Sequence, residues 1–115
     1  MQTFQVTDPG AASATVVNLM AGTKFEFLSR PAQVRVYAAA DATAGVITID
    51  FTLGNVVVAE NIRPTVVAAG TGPFRNENLM ASGQGAAGDR IQLRLANSIA
   101  TAAPTRVIVD IIDLA

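Results

Sequence analysis

The sequence predicts an all-β fold, an antiparallel β-sandwich or jelly-roll-like barrel of eight to nine strands. Three observations predict it. Apolar residues recur with a period of two along most of the 115-residue chain, the pattern of strands with one buried face. Turn-forming residues interrupt that pattern at roughly 8–12-residue spacing. No segment keeps helical spacing over successive turns: the Ala-rich stretches 38–44 and 81–87 have helix propensity but lack an apolar stripe.

Taken in order, Phe4 and Val6 alternate with Thr3, Gln5 and Thr7, which predicts a strand over 3–7, closed by Asp8-Pro9-Gly10. A second strand is predicted over 13–19. A third falls at 24–28, after Ala21-Gly22, where Phe25 and Phe27 alternate with Lys24 and Glu26. Arg30-Pro31 precedes 32–38, in which Val34 and Val36 alternate with Gln33, Arg35 and Tyr37. Beyond Gly45, strands over 46–53 and 56–62 flank Gly54-Asn55, a two-residue hairpin loop with glycine first. That turn sets an expected register: Leu53 opposite Val56, Phe51 opposite Val58, Ile49 opposite Glu60 and Ile47 opposite Ile62. Glu60 then turns inward, near Arg63. A short strand over 65–68 follows Arg63-Pro64. Ile91, Leu93 and Leu95 predict 90–96. Ala103-Pro104 precedes 105–112, which is apolar on both faces and belongs in the middle of a sheet.

Length allows a single domain, 1–115, with an N-terminal arm at 1–12. The segment 69–88 holds five of the nine glycines and reads as a long Gly-rich loop, of the kind that is usually functional or mobile.

Composition narrows the chemistry. The chain has no Cys and no His, which removes zinc sites, thiol nucleophiles, haem ligation and every Ser-His or Cys-His arrangement. Neither a cofactor nor a metal is expected. Eight basic residues against nine acidic ones give a net charge of −1, a poor footprint for nucleic acid. No apolar run approaches the ~20 residues of a membrane span, and Met1-Gln2-Thr3-Phe4-Gln5 carries no signal-peptide pattern. Charged residues are only 15% of the chain, against about 25% in an average soluble domain. Of the apolar residues 21 are Ala, so the mean hydropathy of +0.40 reflects weakly polar surface more than an oversized core.

Gly83-Gln84-Gly85-Ala86-Ala87-Gly88 matches G-x-G-x-x-G, yet no strand is predicted before it and a strand, not a helix, follows, so the phosphate-binding context is missing. Asp50, Asp110, Asp113, Glu26 and Glu60 are the only general acid/base candidates, and nothing in their spacing selects a catalytic pair. Cross-strand ion pairs with Arg35, Arg94 and Arg106 are the simpler reading. Asp110-x-x-Asp113 is too sparse for calcium. The chain is therefore expected not to be an enzyme. Phe74 and Arg75, with Leu79 and Met80, place apolar and guanidinium side chains in the Gly-rich loop, a composition that suits an interface.

The stretch Gly88-Asp89-Arg90-Ile91-Gln92-Leu93-Arg94-Leu95-Ala96-Asn97, the closing strand, and the Cys-free, Ala/Gly/Thr-rich character of the whole chain resemble small phage virion proteins, namely capsid decoration (cement) proteins and single jelly-roll capsid proteins. The resemblance implies a homo-oligomer, a trimer among the arrangements, that sits in the virion after synthesis in the host cytoplasm. Its partner would be the major capsid protein, whose neighbouring subunits it clamps through the 69–88 loop and the 1–12 arm. The alternative is a carbohydrate- or cell-surface-binding β-sandwich module, for which Tyr37 is the only Tyr or Trp available.

Overall fold

Two hydrogen-bonded sheets face each other across an apolar core. The computed structural model describes residues 2–8, 15–41, 47–67, 73, 78–97 and 104–114. Among them run nine strands: β1 (Gln2–Asp8), β2 (Thr15–Val16), β3 (Ala32–Asp41), β4 (Ile47–Leu53), β5 (Val56–Ile62), β6 (Thr65–Val67), β7 (Leu79–Gly85), β8 (Ile91–Asn97) and β9 (Thr105–Asp113). One sheet has the order β1-β9-β3, with β6 and β7 sharing the far edge of β3; the other has the order β2-β8-β4-β5.

The strand pairing follows one rule. β1 with β9, β2 with β8, β3 with β7 and β4 with β5 are the nested antiparallel pairs of one long hairpin whose tip is Gly54-Asn55. Two further antiparallel pairs, β3 with β9 and β4 with β8, roll that hairpin into two facing sheets. This is the jelly-roll arrangement. β6 is an addition on the path from β5 to β7, and it runs parallel to β3 at Ala39–Asp41.

The core forms where the period-two pattern aims. Ile47, Ile49, Phe51 and Leu53 of β4 and Ile91, Leu93 and Leu95 of β8 meet Val34, Val36, Ala38 and Ala40 of β3 and Val107, Val109 and Ile111 of β9. β9 lies between β1 and β3, and its outward residues Ile108 and Asp110 are buried as well. The mid-sheet placement read from its sequence holds.

Five expectations need correction. Residues 79–85 of the expected 69–88 loop form β7, an edge strand whose small side chains carry no apolar alternation. The hairpin begins in the expected register, Leu53 with Val56, but β5 then gains one residue twice, so that Phe51 pairs with Ala59 and Ile49 with Ile62. Asn61 adopts φ 54°, and its N–H donates to Asp50 Oδ1 at 2.7 Å; that side-chain bond stabilises the bulge. Glu60 consequently points to solvent, not inward. Of the expected strand 13–19, the described residues 15–19 are strand only at Thr15–Val16, and 24–28 is reduced to a single bridge between Phe27 and Arg90. The strand expected over 3–7 is β1, which pairs with β9 along its whole length; residues 9–12 of the expected 1–12 arm lie outside the described residues.

The glycines of the G-x-G-x-x-G stretch have structural work. Gly83 and Gly85 face the opposite sheet where it comes closest: a Cβ on Gly85 would sit 2.7 Å from Leu28 Cδ1 and 3.1 Å from Leu53 Cγ, and one on Gly83 would sit 3.1 Å from Val58 Cγ2. Gly88 turns the chain from β7 into β8 with φ +89°. Gly85→Ala is expected to cost about 1–3 kcal/mol by overpacking, whereas Gln84→Ala, on the exposed phase of the same strand, should stay within about 0.5 kcal/mol of the parent. Urea denaturation of the two variants measures both.

Candidate functional site

One end of the sandwich gathers the hairpin tip 54–55, the turn 86–90 and the long crossing 17–31 that carries the chain from β2 to β3. The crossing is built on Asn18. β2 pairs with β8 for only two residues, and the Asn18 side chain then takes over as a partner for β8. Its Oδ1 accepts from Leu93 N–H at 3.1 Å and from Met20 N–H at 3.0 Å, and its Nδ2 donates to Ile91 C=O at 3.4 Å. The bond to its own chain two residues on is the turn chemistry for which Asn is suited. It swings Met20 into the core, where the side chain is fully buried.

A tight turn follows. Thr23 Oγ1 donates to Met20 C=O at 2.8 Å, and Glu26 Oε1 accepts from Gly22 N–H at 3.0 Å. The other oxygen of Glu26 accepts from Arg90 Nε at 2.7 Å. The Gly22 N–H and, after it, the Arg90 guanidinium hold the Glu26 carboxyl below its usual value of 4.5. Backbone bonds then lace 26–28 to 88–91: Ile91 N–H to Glu26 C=O, Leu28 N–H to Asp89 C=O and Gly88 N–H to Leu28 C=O, at 2.7, 2.9 and 2.7 Å.

This lacing fixes which aromatic goes inside. Phe25 packs on the core edge against Phe4, ring centroids 5.9 Å apart, and Leu28 is buried, while Phe27 is left 56% exposed. The alternation of Phe25 and Phe27 suggests one shared face; the structure separates them. A cavity of about 250 Å³ opens beside them, lined by Gln2, Lys24, Phe25, Phe27, Leu28, Ser29, Arg30, Ile111 and Asp113.

Four of the five carboxylates singled out are ion-pair or hydrogen-bond partners, Glu60 being exposed. Asp50 meets Arg94 at 3.4 Å across the β4–β8 pair, the cross-strand pairing expected of it. Glu26 meets Arg90 and Asp113 meets Arg30. Asp110 is buried and accepts from Thr3 Oγ1 at 2.8 Å, with Arg35 opposite it in the β3–β9 register.

Among the residues singled out in the Gly-rich segment, Phe74 and Arg75 lie outside the described residues. Leu79 opens β7 and is 52% exposed. Met80 is the extra residue of a bulge in β7 and packs against the core, so it serves the fold before any partner. Tyr37 points out of its sheet by phase yet is only 4% exposed, and it offers no open ring to a sugar. Sequence reasoning passed over Val56 and Val57, which are 64% and 59% exposed at the start of β5. Their signal is the run Val56-Val57-Val58, since a strand cannot bury three successive side chains on one face. β5 and β7 are edge strands of the two sheets and come together where Val58 meets Gly83. Val56, Val57 and Leu79 therefore lie on two neighbouring edge strands.

No family model, curated protein or solved structure matches this chain.

Asn18→Ala would leave a buried N–H and C=O of β8 without partners and should cost about 2–4 kcal/mol, read from the denaturation midpoint. Glu26 contributes stability through a lowered folded-state pKa. That contribution is present above the usual value of 4.5 and is lost as the pH falls through the lower, folded value. The melting-temperature gap between the parent and Glu26→Gln should therefore be present at neutral pH and close in acid; a gap independent of pH would refute the assignment.

Proposed function

We propose that this chain is a structural virion protein of phage, a capsid decoration (cement) protein that clamps neighbouring subunits of the major capsid protein and acts as a homo-oligomer. It works by contact, without covalent chemistry. The observation that carries this reading is the exposure of Val56 and Val57 on β5 and of Leu79 on β7, three large apolar side chains more than half exposed, on two neighbouring edge strands. Side chains of this size exposed on neighbouring strands suit a surface that another protein covers.

Two further features support it. The jelly-roll strand order is one that viral capsid domains use, along with lectins and cupins; by itself it names a fold and not an activity. The low charge content also suits a molecule much of whose surface is covered in its working state.

In this reading the β5/β7 side faces a second copy of the chain. Light scattering is expected to give a multiple of the 11.9 kDa chain mass, and the protein should sediment with shells of the major capsid protein. Val57→Glu should reduce the native mass to that of one chain while changing folding stability by no more than about 0.5 kcal/mol, as for a surface substitution. A parent protein that is monomeric and leaves capsids unbound overturns the proposal.

A further inference from the structure

We propose that the cavity beside Phe27 binds a sugar acid of monosaccharide size, its ring against Phe27 and its carboxylate toward Lys24 and Arg30. The inference stands independently of the virion reading.

Charge comes first. Among the described lining residues Lys24 and Arg30 are cations and Asp113 is the single carboxylate, an excess of one positive charge among them. Lys24 Nζ lies 5.1 Å from the Phe25 ring centroid, a cation–π contact and not an ion pair. Arg30 reaches Asp113 only at 3.5 Å, with the two side chains 69% and 48% exposed. An ion pair so open to water is weak and readily exchanged for a ligand carboxylate that accepts two bonds from the guanidinium fork. Glu26, the other nearby acid, is committed to Arg90 and Gly22 and does not line the cavity.

Shape and polarity come second. The volume of about 250 Å³ is many times the ~10–15 Å³ that admits one water, room for one sugar ring. Phe27 is 56% exposed and presents an apolar surface for the C–H face of such a ring. Gln2 and Ser29 bring an amide and a hydroxyl to the same walls, groups that bond sugar hydroxyls as donor or acceptor. A simple carboxylate would use the cations and leave Phe27 idle; a neutral sugar would use Phe27 and leave the excess charge unanswered.

The test is a titration of the full, isotope-labelled chain with sodium glucuronate, glucose and sodium acetate, followed by amide NMR. Glucuronate is expected to give saturable shifts confined to residues 24–30 and 111–114, with glucose and acetate binding at least about fivefold more weakly, the effect of losing one exposed charge or ring contact. Phe27→Ala and Lys24→Gln should each weaken glucuronate by about the same factor. Both side chains are exposed, so unchanged melting temperatures will show that the fold is intact. Absence of saturation at tens of millimolar glucuronate, or equal binding of acetate or glucose, overturns the proposal. So does a Phe27→Ala variant that binds glucuronate as the parent does.

Discussion

The fold depends on its last strand. β9 pairs with β1 over seven residues and with β3 over nine, so the first, third and last strands form one continuous ladder. Without β9 that sheet would lack its central strand and the core residues Val107, Val109 and Ile111. The arrangement also permits a buried carboxylate. Asp110 lies in the middle of β9, only 2% exposed, and a buried charge is tolerable only with partners. Thr3 from β1 donates a hydrogen bond to it on one side, and Arg35 from β3 stands opposite on the other. Because these contacts join the two ends of the chain, they are rewarded only after a long loop closes, a topology associated with slow folding.

The same closure creates the candidate site. β9 ends at Asp113 beside the start of β1 and the start of β3, and the crossing 17–31 passes over that corner. Asn18 anchors one end of the crossing on β8, while the bonds from Glu26 and Leu28 to 88–91 anchor the other. With both ends held, Phe27 has no route into the core, which Phe25 and Leu28 already occupy at that edge. Its exposure thus follows from backbone constraint.

The sequence was most legible where one strand face decides everything. β4 and β8 alternate between buried and half-buried or exposed residues along their whole lengths, and any shift by one residue would have turned a row of Ile and Leu to water. β7 was illegible because its inward residues include Gly83 and Gly85. Their contribution to packing is the room they leave for Leu28, Leu53 and Val58, a property of neighbours distant in sequence. The shifted half of the hairpin was hidden for a related reason: the bulge at Asn61 is held by Asp50 from across the ladder, and turn chemistry at 54–55 carries no information about it. In the candidate site the charges of Lys24, Arg30 and Asp113 were visible as composition. That they line one cavity depends on the jelly-roll closure, which brings residue 113 beside residue 30.

The two extra residues of β5 have a further consequence. A straight edge strand with exposed valines invites another strand to add to it, and repetition of that event gives open-ended fibres. Here the register of β5 shifts at two points, and the Asn61 N–H is held by the Asp50 side chain of β4, so the strand is not a straight template. Main-chain pairing along this edge is confined to a few residues. In the proposed assembly a neighbour on this edge would be recognised through side chains, and association of that kind can close into a ring of fixed number.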